Sequence, residues 1–151
     1  MLSRLVVALL FASAPLAAQT NGTPPPDRSA AGAYTEVQAL RGDTVYRAVC
    51  ASCHTTSYHT DEQFRSNWFG RTVYDLFKTL KTTMPDDNPG GLTDDEYARV
   101  IAYILKLNGF AAGTDSLAAD STAMRRIRIS PAADSCRPLK TARDSVKHLR
   151  P

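Results

Sequence analysis

The densest chemistry in the chain lies in Cys50-Ala51-Ser52-Cys53-His54. Two thiols in a Cys-x-x-Cys pair, followed at once by an imidazole, form the pattern for covalent haem attachment. The spacing has a chemical reason. The thiols add across the two vinyl groups of haem, so both must project from one tight turn. The next residue is then held beneath the iron, where its imidazole nitrogen serves as the proximal ligand. Two other chemistries use paired cysteines. A redox dithiol calls for strand–turn–helix surroundings that the residues before Cys50 do not supply. Zinc needs two further ligands, and the sequence has no second paired motif. The expectation is one haem c, covalent through Cys50 and Cys53, with His54 on its iron.

A second axial ligand and a frame must come from the surrounding elements. Gly42, Tyr46 and Cys50 recur at intervals of four, which predicts one face of a helix ending at the motif. A second helix is predicted over 93–108. Thr93 is a good N-cap and Glu96 completes a capping box, then Tyr97, Val100, Ile101, Ile104, Leu105 and Asn108 follow at helical spacing until Gly109. Between them, Val73, Leu76, Phe77 and Leu80 mark one apolar stripe of a helix over 72–83. That helix runs into Met84-Pro85 and the turn-rich Asp86-Asp87-Asn88-Pro89-Gly90-Gly91. A thioether on such a loop can approach the open face of the iron, and Pro85 stiffens the residue to be held. Met124 lies in a later amphipathic stretch and reads as core packing. His59 follows His54 so closely that it stays on the proximal side, and His148 lies in the tail.

On these residues the stretch from about Gly42 to Gly113 resembles the class I cytochromes c. The resemblance implies an all-α fold, three to five helices around one covalently bound haem c. In that family a small residue and an aromatic at the places of Gly42 and Tyr46 let the first helix cross the last one closely. A methionine followed by proline is the distal ligand, a role the resemblance carries to Met84. Trp68-Phe69-Gly70-Arg71-Thr72, Asp75-Leu76-Phe77, Pro89-Gly90-Gly91-Leu92 and the run from Ala102 to Gly113 narrow the likeness. They look like the cytochrome domains that accompany quinoprotein alcohol dehydrogenases, a group that Leu117, Asp120, Met124 and Ile127 also fit. Trp68 and Arg71 offer an indole N–H and a guanidinium to haem propionates, while Trp68 reads equally well as a large core residue. One departure stands out: Thr55-Thr56-Ser57-Tyr58-His59 replaces the Gly-Pro pair whose carbonyl orients the proximal histidine in many members. The ring N–H of His54 still requires an acceptor.

Histidine and methionine together occupy both axial positions, which suits outer-sphere electron transfer and raises the reduction potential. The resemblance therefore implies a carrier, or the electron-accepting subunit of a dehydrogenase, with a quinoprotein dehydrogenase or a terminal oxidase among its redox partners. The competing reading is a haem enzyme or small-molecule sensor whose distal ligand is displaced. Nothing in the distal segment supplies a His or Arg in a peroxidase-like position, which weighs against it.

The rest of the chain sets the boundaries. Its 151 residues allow one ordinary domain, and 43% hydrophobic with 22% charged residues is the composition of a globular protein. A net charge of +3 is too small to argue for a nucleic-acid partner. Arg4, the apolar run Leu5 to Phe11 and the small residues to Ala18 predict a signal peptide over 1–18, and hence export to the periplasm. A Pro/Ala/Gly-rich linker is expected over 19–35, since its composition buries too little surface to offset ordering. The domain is expected to begin near Tyr34 to Arg41 and is placed at 36–130. A basic tail over 131–151 reads as a solvated face or as a dock for an acidic partner or membrane headgroups. Cys136, left over in that tail, is a free thiol or an intermolecular bridge.

Overall fold

Residues 28–130 are described by the computed structural model. The expected signal peptide, residues 19–27 of the expected linker, and the tail with Cys136 and His148 lie outside them.

Two helices form the frame. The Thr35 hydroxyl accepts the Gln38 N–H and starts α1, Glu36–Val45. The chain then continues as a π-helical turn, Tyr46–Cys50, in which the Ala51 N–H reaches the Tyr46 carbonyl at 2.9 Å. The regular helix predicted up to the motif is therefore widened by one residue per turn in its last turn. Between Thr93 and Glu96 the capping box forms as predicted and opens α4, Asp94–Leu107. Its buried face is Tyr97, Ala98, Val100, Ile101, Ala102, Ile104 and Leu105. The two helices cross at Gly42, where an added Cβ would overlap the Arg99 carbonyl and lie 3.0 Å from Tyr103 Cβ. Only a residue without a side chain permits that approach. Beyond the crossing, Lys106 near the end of α4 pairs with Glu36 at the start of α1.

Shorter elements occupy the interval between these helices. A 3-10 turn, Thr56–His59, leads to α2, Glu62–Trp68, whose first turn is capped by the Asp61 carboxylate on the Phe64 N–H at 2.7 Å. Next, α3, Val73–Thr83, opens on a capping box between Thr72 and Asp75 and buries Val73, Leu76 and Phe77. After α4 the chain runs to the short α5, Ser121–Arg125.

The chain's two described ends meet. Strand β1, Arg28–Ser29, pairs in parallel with β2, Ile127–Arg128, in the register Arg28↔Ile127 and Ser29↔Arg128. Residues 28–35, expected as linker, are thus packed into the domain. Ala30, Ala33 and Tyr34 are buried, and the Tyr34 hydroxyl donates to the Phe110 carbonyl at 2.5 Å. The physical reason is local. Small alanines fill a tight contact and one tyrosine supplies apolar area with a polar tip, features that an average over a Pro/Gly-rich stretch conceals. With mostly helical elements around one core, the fold is a small all-α arrangement.

Candidate haem site

The motif Cys50–His54 sits where the π-helical turn ends. Its backbone closes on itself, with the Cys53 and His54 N–H groups both donating to the Cys50 carbonyl, at 3.1 and 2.9 Å. Both thiols and the imidazole therefore leave one turn. Cys50 is half-buried and Cys53 exposed. Burial pushes the Cys50 thiol up, so it stays protonated as a free group.

Behind the motif stands Tyr46, 2% exposed, whose hydroxyl donates to the His54 carbonyl at 2.9 Å. Burial, with Cys50 and Tyr103 nearby, pushes its phenol up to about 12, which keeps the hydroxyl a donor. Next to it lies His59, which is buried. Its ring centroid is 5.5 Å from Tyr46, 5.7 Å from His54 and 5.8 Å from Phe64. Burial foremost, then the neighbouring His54, brings the His59 imidazole down to about 4. Asn108, at the end of α4, donates to the His59 carbonyl at 2.7 Å and so ties the proximal turn to the frame. Sequence periodicity counted Asn108 as one more position on a helix face and missed this role. The side-chain amide at a helix end was the available signal.

Met84 is the C-cap of α3 and is half-buried. Its N–H donates to the Leu80 carbonyl at 2.8 Å, and its carbonyl accepts the Tyr97 hydroxyl at 2.6 Å. The following loop closes through Asn88 N–H to Pro85 carbonyl and Gly91 N–H to Asn88 carbonyl, at 3.0 and 2.9 Å. Lys81 and Asp94 pair at 2.5 Å, joining the end of α3 to the start of α4. Met124, the other methionine weighed, is completely buried in the core.

Trp68 and Arg71 come together. The Arg71 guanidinium lies 5.6 Å from the Trp68 ring centroid, Arg71 is exposed and Trp68 is half-buried beside Phe64. Both border a short loop that the chain's far end holds. Gly70 N–H donates to the Ile129 carbonyl and Ile129 N–H to the Arg71 carbonyl, each at 2.9 Å.

The donor set suits haem c. Two soft thiols and an imidazole share one turn, and a thioether stands on a tethered loop. Val45, Trp68, Leu80 and Leu92 pack against the core yet remain partly exposed.

Fold and motif together are similar to those of a c-type cytochrome domain. Residues 37–104 match the family model described as cytochrome C oxidase, cbb3-type, subunit III. Comparison with curated proteins and with solved structures finds no match. The matched segment runs from α1 to α4 and includes Cys50–His54 and Met84. Such a domain implies covalently bound haem c and redox-protein partners, and it fits electron transfer rather than catalysis.

Proposed function

We propose that this chain is an exported monohaem cytochrome that passes single electrons between redox proteins through a haem held by Cys50, Cys53, His54 and Met84. The observation that carries the reading is the single turn from which both thiols and the imidazole project. When bound, the haem supplies a one-electron couple whose potential the His/Met pair raises. Everything else is positioning by the chain. Cys50 and Cys53 would hold the group covalently, and Tyr46 holds the His54 backbone through its carbonyl. Met84 would be the second iron ligand and would keep small molecules off the metal. Trp68 and Arg71 would donate to the propionates, the guanidinium neutralising their charge.

Export follows from the N-terminal segment and from the chemistry, since c-type attachment belongs outside the reducing cytosol. The domain works as a carrier or as the electron-accepting subunit of a dehydrogenase. A quinoprotein dehydrogenase or a terminal oxidase is its partner, and the basic composition of residues 131–151 suits an acidic docking surface.

A spectrum of the purified ferric protein tests the ligand pair. Six-coordinate low-spin iron with the weak far-red absorption of methionine ligation is expected. Met84→Ala removes that band, lowers the potential and admits imidazole or cyanide, while Met124→Leu leaves it in place. High-spin iron in the unmutated protein favours the enzyme or sensor reading instead.

A further inference from the structure

Both residues proposed as axial ligands are held by the same device. A tyrosine hydroxyl bonds the backbone carbonyl of each: Tyr46 that of His54 at 2.9 Å, and Tyr97 that of Met84 at 2.6 Å. We propose that Tyr97 is the positioning residue for the distal ligand, clamping the Met84 backbone so that its thioether stays on the iron; the inference rests on Met84 being that ligand.

A thioether is a neutral and weak ligand, so its retention depends on how little the surrounding loop can move. Cys50, Cys53 and His54 leave one closed turn, but Met84 stands at the start of a loop that extends to Gly91. Its N–H side is fixed by the last turn of α3. On its carbonyl side the fixing group is Tyr97. The Tyr97 ring is itself immobilised, being 2% exposed and edge-on to Phe77 with centroids 6.2 Å apart. Register between donor and acceptor is set twice more. The capping box at Thr93 fixes where α4 begins, and the Lys81–Asp94 pair joins that start to the end of α3.

The same helix serves the proximal side. Tyr103, six residues beyond Tyr97, packs against the Tyr46 ring at 5.4 Å. Six residues of α-helix rise about 9 Å. Both carbonyl anchors are thus referenced to one rigid element, α4, which sets their separation.

The test uses the full holoprotein. Tyr97→Phe keeps the ring against Phe77 and removes only the hydroxyl. Tyr34→Phe is the control, because it removes another buried tyrosine's bond to a backbone carbonyl, that of Phe110, which touches neither ligand. Imidazole binding to the ferric protein is titrated, with the far-red band and the reduction potential recorded alongside. For Tyr97→Phe, imidazole should bind about tenfold more tightly, the equivalent of one ordinary hydrogen bond lost from the competing Met84 ligation. The band should weaken and the potential fall. Tyr34→Phe should lower unfolding stability with imidazole affinity unchanged. Unaltered affinity and band in Tyr97→Phe would overturn the proposal, as would an equal gain in affinity in Tyr34→Phe, which would mean general loosening. Absence of the far-red band from the unmutated protein would overturn the Met84 assignment itself, and this proposal with it.

Discussion

Gly42→Ala pits two effects of opposite sign against each other at one atom. Gly42 lies inside α1, and alanine in a helix interior is worth about 1 kcal/mol over glycine. On that ground alone the variant should be more stable. The new Cβ, however, would stand 2.6 Å from the Arg99 carbonyl carbon and overlap its oxygen. Ordinary contact between a methyl carbon and those atoms needs about 3.5 Å or more. The obstructing atoms belong to the α4 backbone, so no side-chain rotation relieves the overlap, and α1 and α4 must separate along their crossing. Overpacking of this kind costs about 3 kcal/mol, at the upper end because backbone must move. The net loss is then about 2 kcal/mol, or roughly 8–16 °C in Tm for a domain of this size. Gly109→Ala is the comparison. Gly109 has φ of +78° and nothing within 4 Å of an added Cβ, so that variant meets backbone strain without a clash. It should lose about 1 kcal/mol. Thermal unfolding of the holoprotein followed by circular dichroism measures both. A Gly42→Ala protein as stable as its parent would refute the claim that this crossing is limited by contact.

Three further changes probe the supports of the site. Thr72→Ala removes the N-cap of α3, the helix that delivers Met84, and should cost about 1 kcal/mol in denaturant unfolding. The Asp75 carboxyl is held below its ordinary value, chiefly by the Thr72 hydroxyl and then the Thr72 N–H. Its contribution is therefore fully present above the unfolded-state value and is lost as pH falls through the folded one. The stability gap between parent and Asp75→Asn should accordingly shrink from neutral pH to about pH 3, and a constant gap would contradict the capping box. Ile129→Ala, at a position 1% exposed, should cost about 2–5 kcal/mol in the same assay. It should also loosen the loop between Trp68 and Arg71, seen as faster amide exchange at Gly70.

How much of this was legible in the sequence varied with the kind of interaction. The helices α3 and α4 were readable because each has a one-sided apolar stripe, and α4 also because Thr93 caps it with Glu96 three residues on. The close crossing was implied by the resemblance to the class I cytochromes c, which places a small residue and an aromatic at Gly42 and Tyr46. What escaped depends on partners distant in the chain. Two-residue strands carry no alternation, so the pairing of Arg28–Ser29 with Ile127–Arg128 leaves no local trace. The packed segment 28–35 was hidden for the same reason. Periodicity also reads Tyr46 and Tyr97 as apolar positions and says nothing of their hydroxyls. Those hydroxyls reach the His54 and Met84 carbonyls only because the helices place them there.

Covalent attachment through the two cysteines is the central claim, and peptide mass spectrometry tests it most directly. Protein made in a host with an exporting haem-attachment system would be digested at arginine and lysine, releasing the peptide 48–65 between Arg47 and Arg65. That peptide should carry one haem, with neither thiol available to alkylation. Cys50→Ala with Cys53→Ala should yield the bare peptide and a protein that surrenders its haem to acidified solvent. An unmodified, fully alkylatable peptide from the parent, or haem that resists extraction from the double variant, would contradict the account.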